Sequence, residues 1–379
     1  MKIIIDARMY GLEHTGIGRY IINLINQIDK ISFQSEDKNE YIILLRKKYF
    51  DSLVFKNKNI KKVLADYSHY SFKEQFLLPF QLFLLKPNVV HFPHFNVPFL
   101  WFGKYVVTIH DLIKHQSRGI KTTTHNPFIY WLKHIFYLFI VYSAVKRAKK
   151  VITPSKWWKN ELIKIYNLTQ DKVVVTYEGV DDKFKFKKES SSNILEKFKI
   201  KKPFVIYTGS LYPHKNADRL LEAIIKINRE KKIKLNLVLV CARNFFLKRF
   251  EKKVKDKKAE SLVKLIGFVD DKDLVALYKE AEAFVFPSLL EGFGLTGLEA
   301  MSLGLPTICS SASCLPEVYG QAVAYFDPLD INDMVEKIIQ VVSDDDFKKC
   351  LTKAGFEKVK EYSWQKMAKE TLMIYKSVS

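Results

Sequence analysis

Four cysteines in 379 residues exclude a disulfide scaffold. Cys241, Cys309, Cys314 and Cys350 also lack the spacing of a metal site and all fall in one half of the chain. Reduced thiols in a cytosolic protein are the expectation. No uninterrupted apolar run reaches the roughly eighteen residues that a bilayer span needs, so no spanning segment is expected. The opening Met1-Lys-Ile-Ile-Ile-Asp6 stops its apolar run at Asp6 and lacks the small-residue cleavage site of a signal peptide. Acidic residues are scarce: 41 Asp and Glu face 62 Lys and Arg, a net charge of +21. The deficit is concentrated early, with 27 Lys/Arg against 13 Asp/Glu in residues 1–180, a net of +14. Such an excess suits a polyanionic partner or a merely solvated lysine-rich surface. No nucleic-acid motif accompanies it, so nucleic acid is not expected and an acidic membrane surface is preferred.

What the chain does contain is enough apolar residue, 48%, for two cores, and its length exceeds that of a single core. Short apolar strands alternate with longer helical stretches, the pattern of parallel sheets with crossover helices. Ile3–Asp6, Tyr41–Leu45, Val63–Ala65, Val89–Phe92, Tyr105–Ile109, Val151–Thr153 and Val173–Thr176 are expected strands of a first domain. A polar stretch, Asp181–Asn193, reads as a linker. Phe204–Thr208, Leu235–Val240, Val263–Ile266, Ala283–Phe286, Thr307–Cys309 and Ala322–Phe326 follow as a second series. Two doubly wound domains would place their ligand-binding strand ends across a cleft. Phe128–Ile140 and Phe72–Leu85 are aromatic and apolar, reading as core helices or as interfacial faces. The first is interrupted by Lys133-His134 and reads as too short to cross a bilayer.

Chemistry concentrates in Glu291-Gly-Phe-Gly-Leu-Thr-Gly-Leu-Glu299. A strand, a glycine turn and a helix start present unpaired backbone N–H groups to an anion. Glu291 would stand at the lip of the turn and Glu299 about one helical turn inside. A carboxylate there accepts hydrogen bonds from a vicinal diol such as a ribose, so the pattern suits a nucleotide-sugar. An ordinary strand–helix corner with two solvated glutamates remains the alternative. Gly209-Ser-Leu-Tyr-Pro-His214-Lys215-Asn216 puts a lysine just before a helix, where it suits a diphosphate. Gly16 and Gly18 open the first helix, but without the third glycine and later acid of a dinucleotide site. His91-Phe-Pro-His94 and Thr108-Ile-His110-Asp111 each follow a strand, where histidines handle protons or substrate. His91 reads as a core histidine. No carboxylate or cysteine shares ligand spacing with these histidines, so no metal site is expected.

Together these segments resemble glycosyltransferase family 4, the retaining nucleotide-sugar transferases of GT-B fold. The resemblance covers essentially the whole chain. Pro287 to Met301, Gly304-Leu-Pro306, Leu315-Pro-Glu-Val318, Val151-Ile-Thr-Pro-Ser155, Glu178-Gly-Val-Asp181 and Tyr362-Ser-Trp364 carry it. Thr15-Gly-Ile-Gly-Arg-Tyr20 and Thr108 to Asp111 look most like bacterial mannosyltransferases of surface-polysaccharide assembly. The resemblance implies two Rossmann-like domains facing a cleft. Residues 1–182 would bind the acceptor, joined by a C-terminal helix at about 360–379, and residues 183–359 the donor. It implies a catalytic set of His94, His110, Asp111 and Glu291. The donor site would comprise Gly16, Gly18, Ser210, His214, Lys215, Phe268, Val269, Glu291, Gly292, Phe293, Gly294, Leu295, Thr296 and Glu299. Neither cofactor nor metal is implied. The donor would be GDP-mannose and the acceptor a glycan, free or polyisoprenyl-linked, at the inner face of the membrane. A sugar-nucleotide epimerase of the same fold and a non-enzymatic adaptor are the alternatives. One departure stands out: members often carry arginine five residues before the diphosphate lysine, and here that place is Ser210. His214, Arg19 or Arg243 would have to supply the charge.

Overall fold

A computed structural model describes residues 1–116, 127–181, 184, 193–231, 233–241 and 245–379. The linker reading therefore falls mostly outside the described residues. The chain divides into two compact units: 1–112, 126–179 and 363–379 form the first, and 113–125 with 180–362 the second.

In the first unit β1 (Lys2–Asp6), α1 (Thr15–Gln34), β2 (Glu40–Leu45), α2 (Lys47–Phe50) and β3 (Ile60–Leu64) come first. Then follow α3 (Phe72–Leu85), β4 (Val89–Phe92) and β5 (Tyr105–Thr108). The short α4 (Ile113–Gln116) is grouped with the second unit. The first unit resumes with α5 (Pro127–Arg147), β6 (Lys150–Thr153), α6 (Lys156–Tyr166) and β7 (Val173–Val175). All neighbours are parallel, in the order β3-β2-β1-β4-β5-β6-β7. The central strands are buried on both faces, which is why Ile3, Ile4 and Ile5 run without alternation. The expected strand Val63–Ala65 lies three residues earlier, at β3. It is an edge strand whose lysines, Lys61 and Lys62, mask the apolar signal.

The second unit holds α7 (Ile194–Phe198), β8 (Phe204–Thr208), α8 (Ala217–Glu230), β9 (Asn236–Val240), α9 (Phe245–Asp256) and β10 (Val263–Ile266). It continues with α10 (Asp271–Glu280), β11 (Ala283–Phe286), α11 (Leu295–Ser302), β12 (Thr307–Ser310), α12 (Leu315–Tyr319) and β13 (Ala324–Phe326). Helices α13 (Ile331–Ser343) and α14 (Asp345–Val359) close it. Its parallel order is β10-β9-β8-β11-β12-β13. Asp344 caps α14 by accepting from the Asp346 and Phe347 amides. The last helix, α15 (Trp364–Val378), packs in the first unit against α1. Tyr375 of α15 reaches His91 of β4, Oη to Nδ1 at 2.6 Å.

In each sheet the connections reverse direction once, between β1 and β4 and between β8 and β11. Loops leaving the carboxyl ends of those strands diverge and leave room for a ligand. The sequence places Asp6–His14 and Pro93–Asn96 at the first such point, and Gly209–Asn216 and Pro287–Gly294 at the second.

The structure corrects one expectation. Phe128–Ile140, read as too short to cross a bilayer, lies in a 21-residue helix, α5, long and apolar enough by length and composition to do so, and of that stretch only His134 is buried. Phe128, Ile135, Phe136 and Phe139 are all exposed on it.

Candidate functional site

Glu291 and Lys215 lie 76 residues apart in sequence, and the β8/β11 reversal brings them together. Lys215 ends a short turn, Pro213–Lys215, made possible by Asn216 in the left-handed region at φ 58°. The buried Asn216 amide anchors that turn, donating to the carbonyls of Pro287 and Pro328 at 3.0 and 2.8 Å. Glu291 follows the Pro-Ser break after β11 and accepts an ammonium bond from Lys215 on each oxygen, at 2.7 and 2.8 Å. Its backbone N–H donates to Ser313 Oγ at 3.2 Å. Burial, together with the Glu291 charge, pushes the hydroxyl of Tyr207 and the thiols of Cys309 and Cys314 well above their ordinary ranges. The pair is thus desolvated, with the lysine as counter-charge to the carboxylate.

Gly294 starts α11 at φ +96°, a conformation that glycine adopts without strain. A Cβ on Gly297 would lie 2.2 Å from the Tyr319 hydroxyl, which itself donates to the Gly294 carbonyl. These two glycines therefore let Tyr319 hold the turn from beneath. Leu295 and Thr296 begin α11, where helix geometry gives their amides no carbonyl one turn back, while the Gly297 amide donates to the Gly294 carbonyl at 3.2 Å. Glu299 is buried one turn further in. Phe293 is also buried, its ring edge-on to Tyr362 at 5.4 Å, so its side chain supports the turn from the core side.

Other expected donor residues stand differently. His214 is held down to about 4, by burial first and the Lys215 charge second, so it is neutral at pH 7 and cannot replace an absent arginine. Arg243 lies outside the described residues. The Ser210 carbonyl accepts from Tyr207 Oη at 2.5 Å. Phe268 and Val269 follow β10, the edge strand, with Phe268 77% exposed. Gly18 answers a packing need within its own unit: a Cβ there would strike the Gly11 carbonyl oxygen at 1.8 Å. Gly16 opens on free space, with nothing within 4 Å of a Cβ position.

In the first unit, His110 bonds through both ring nitrogens, Nδ1 to Glu178 at 3.3 Å and Nε2 to the Pro93 carbonyl at 3.1 Å. Tyr20 sits edge-on to that ring at 4.8 Å. Glu178 of the Glu178-Gly-Val-Asp181 segment gave no signal of this role in the sequence, because it lies 68 residues from His110. His94, half-buried, lies tilted against the Phe95 ring with centroids 3.9 Å apart, and Asp111 is half-buried beyond His110. His91 is fully buried between Tyr375 and Thr108, and burial takes its pKa down to about 3.

Two family models match the chain: glycosyltransferase family 4 over residues 55–184, and glycosyl transferases group 1 over residues 190–358. The chain thus carries a glycosyltransferase family 4 domain followed by a glycosyl transferases group 1 domain. It is 28% identical over 401 aligned positions to O-antigen chain mannosyltransferase B of Escherichia coli, covering 99% of this chain and all of that one. A glycosyltransferase of Rickettsia africae superimposes with a TM-score of 0.74 at 19% identity, covering 100% and 98% of the two chains. HepE of Anabaena, solved with UDP-glucose, gives 0.73 at 15% identity with both chains fully covered. The fold is thus GT-B, and the chain is a glycosyltransferase.

Proposed function

We propose that this glycosyltransferase moves a mannosyl group from GDP-mannose to a hydroxyl of a glycan acceptor, with retention of anomeric configuration. The observation that carries the reading is the Lys215–Glu291 pair at the β8/β11 reversal, beside the N-terminus of α11 and the buried Glu299. In this reading the donor diphosphate takes Lys215 from Glu291, and the freed carboxylate turns to the sugar hydroxyls. Amides at Gly292 to Thr296 share the phosphate charge, and Glu299 accepts from the ribose diol. His94, His110 and Asp111 belong to the acceptor side of the chemistry, with Glu178 orienting His110. Retention then proceeds by attack on the face the diphosphate leaves, since among the described residues of the site no side chain suits a covalent intermediate. The full-length likeness to an O-antigen mannosyltransferase favours mannose and a polysaccharide acceptor, carried on a polyisoprenyl lipid at the cytoplasmic face. No nucleic acid and no resident cofactor enter the reaction.

A thermal-shift screen against GDP-, UDP- and ADP-sugars tests the donor, because a ligand of the folded state raises its apparent stability. GDP-mannose is expected to give the largest shift.

Glu299→Ala is expected to weaken binding of GDP-mannose and of free GDP alike, because both carry the ribose. A hydrogen bond to a charged group is worth about 1.5–3 kcal/mol, so the loss should be roughly ten- to a hundredfold. Calorimetric titration checks it; unchanged GDP affinity would remove Glu299 from the ribose.

Activity is expected to survive EDTA. In this reading Lys215 and the α11 amides carry the leaving-group charge that a divalent ion otherwise meets. Activity lost to the chelator and restored by Mg²⁺ or Mn²⁺ would refute it.

A further inference from the structure

The first unit exposes apolar side chains on three neighbouring segments. On α3, Phe72, Phe76, Phe80 and Phe83 recur at helical spacing along one side, and Phe83 is 71% exposed. On α5, Phe128, Trp131, Ile135, Phe139 and Tyr142 form a second stripe. Between them runs the segment containing Phe99, Leu100 and Phe102, with Phe102 79% exposed.

Specific contacts make these one surface. The Phe99 amide donates to Gln75 Oε1 of α3 at 2.8 Å, and the Phe99 ring meets Phe139 of α5 at 5.2 Å. Arg147, at the end of α5, donates to the Phe99 carbonyl at 2.7 Å and covers the Phe102 ring at 4.8 Å. The buried side of α5 carries His134, Val141, Ala144 and Val145, and Tyr105 Oη donates to the Ala144 carbonyl at 2.8 Å. The helix is thereby fixed lengthwise to the domain, and only one side of it is open to lipid. That geometry fits a helix lying in a membrane interface, not one crossing it.

Charge selects the occupant. Residues 72–86, 93–104 and 127–150 contain eight Lys and Arg and a single carboxylate, Glu74. Glu74 is fully buried and held by Arg8 and Asn96, so it does not face outward. A second copy docked on this face would bring two cationic rims together, whereas an anionic leaflet meets the same rims with opposite charge.

We propose that α3, the Phe99–Phe102 segment and α5 form a platform that inserts its aromatic side chains into an anionic bilayer surface. Their flanking lysines contact the lipid head groups. The platform adjoins the loop after β4: the His94 ring packs tilted against Phe95, and Phe95 meets Tyr137 of α5 at 5.1 Å. A docked bilayer would therefore present a lipid-borne acceptor beside His94. This extends the acceptor reading above but rests on other residues.

The test is co-sedimentation of the full chain with vesicles of phosphatidylcholine alone, or of phosphatidylcholine containing phosphatidylglycerol. Binding is expected only with the anionic lipid. It should weaken but persist when salt is raised from about 0.1 M to several times that. The triple variant Phe76→Ser, Phe80→Ser, Phe83→Ser should bind at least about tenfold more weakly. Its melting temperature and GDP affinity should stay at the wild-type level. In parallel, brominated acyl chains should quench wild-type fluorescence, and Trp131→Phe should remove that quenching, which reports insertion without disturbing α3. Undiminished binding by the triple variant, binding abolished by salt, or absence of quenching would overturn the proposal. So would a lipid-independent dimer that the triple variant dissolves, or resistance to alkaline extraction expected of a spanning helix. A protein that binds vesicles but transfers no sugar would support the platform and refute the transferase reading. A triple variant that transfers normally to a short water-soluble glycan yet ignores vesicles is the result that supports both.

Discussion

Glu291→Ala should reduce kcat/KM for sugar transfer by about a hundred- to ten-thousandfold while lowering affinity for free GDP far less. The carboxylate stands at the mouth of the α11 turn and fixes the Lys215 ammonium through both oxygens. Its removal deletes contacts to the sugar and leaves a largely buried lysine, 18% exposed, without that partner. Two hydrogen bonds to a charged group, at about 1.5–3 kcal/mol each, set the size of the effect. Glu291→Gln should recover part of the loss, since the amide keeps one acceptor but not the ion pair. Steady-state kinetics with calorimetry of GDP binding checks the split. If GDP affinity fell more in Glu291→Ala than in Glu299→Ala, the two glutamates would have to exchange roles.

Arg8→Ala should destabilise the first unit by about 3–5 kcal/mol, the usual cost of stripping the partner from buried charge. The Arg8 side chain is 1% exposed and donates to both Asp6 oxygens and to Glu74, each at 2.7 Å. Burial alone would raise the Asp6 carboxyl, but Arg8 outweighs it and holds Asp6 below its ordinary value. For Glu74 burial prevails over Arg8 and Asn96, and its carboxyl is raised. The sign of the pH dependence follows. A lowered Asp6 contributes stability above its unfolded pKa and loses it as pH falls through the folded value. Without Arg8, Asp6 becomes a raised carboxyl, whose native form holds a proton the unfolded chain releases. The deficit should therefore be largest near neutral pH and shrink toward pH 4. All five tryptophans, at 101, 131, 157, 158 and 364, lie in the first unit, so fluorescence-detected urea unfolding reports on it alone. A deficit independent of pH would contradict the charge assignment.

The strand–helix alternation was plain from the chain, because a parallel sheet buried on both faces writes its strands as short apolar runs. The edge strand β3 was misplaced because its lysines broke the run. Exposure was harder to read. Phe72–Leu85 and Phe128–Ile140 look the same whether their apolar residues face a core or the outside, since composition does not say which face is covered. The turn at Glu291–Glu299 was legible because glycines at a helix start have a local conformational reason. Its ion pair with Lys215 was not, since it depends on which strands are neighbours. The same holds for Arg8 with Glu74, 66 residues apart, and for His110 with Glu178, 68 apart. His214 looked like a spare cation, and only burial beside Lys215 shows it to be neutral.

The most direct measurement is GDP release from GDP-mannose by the purified chain, with and without a mannose-terminated glycan, in wild type and in Glu291→Ala. The account predicts release that depends on the acceptor, yields a glycan with the donor's anomeric configuration, and falls at least about a hundredfold in the variant. Donor consumption without any acceptor, as an epimerase would show, or equal release by the variant, would contradict it.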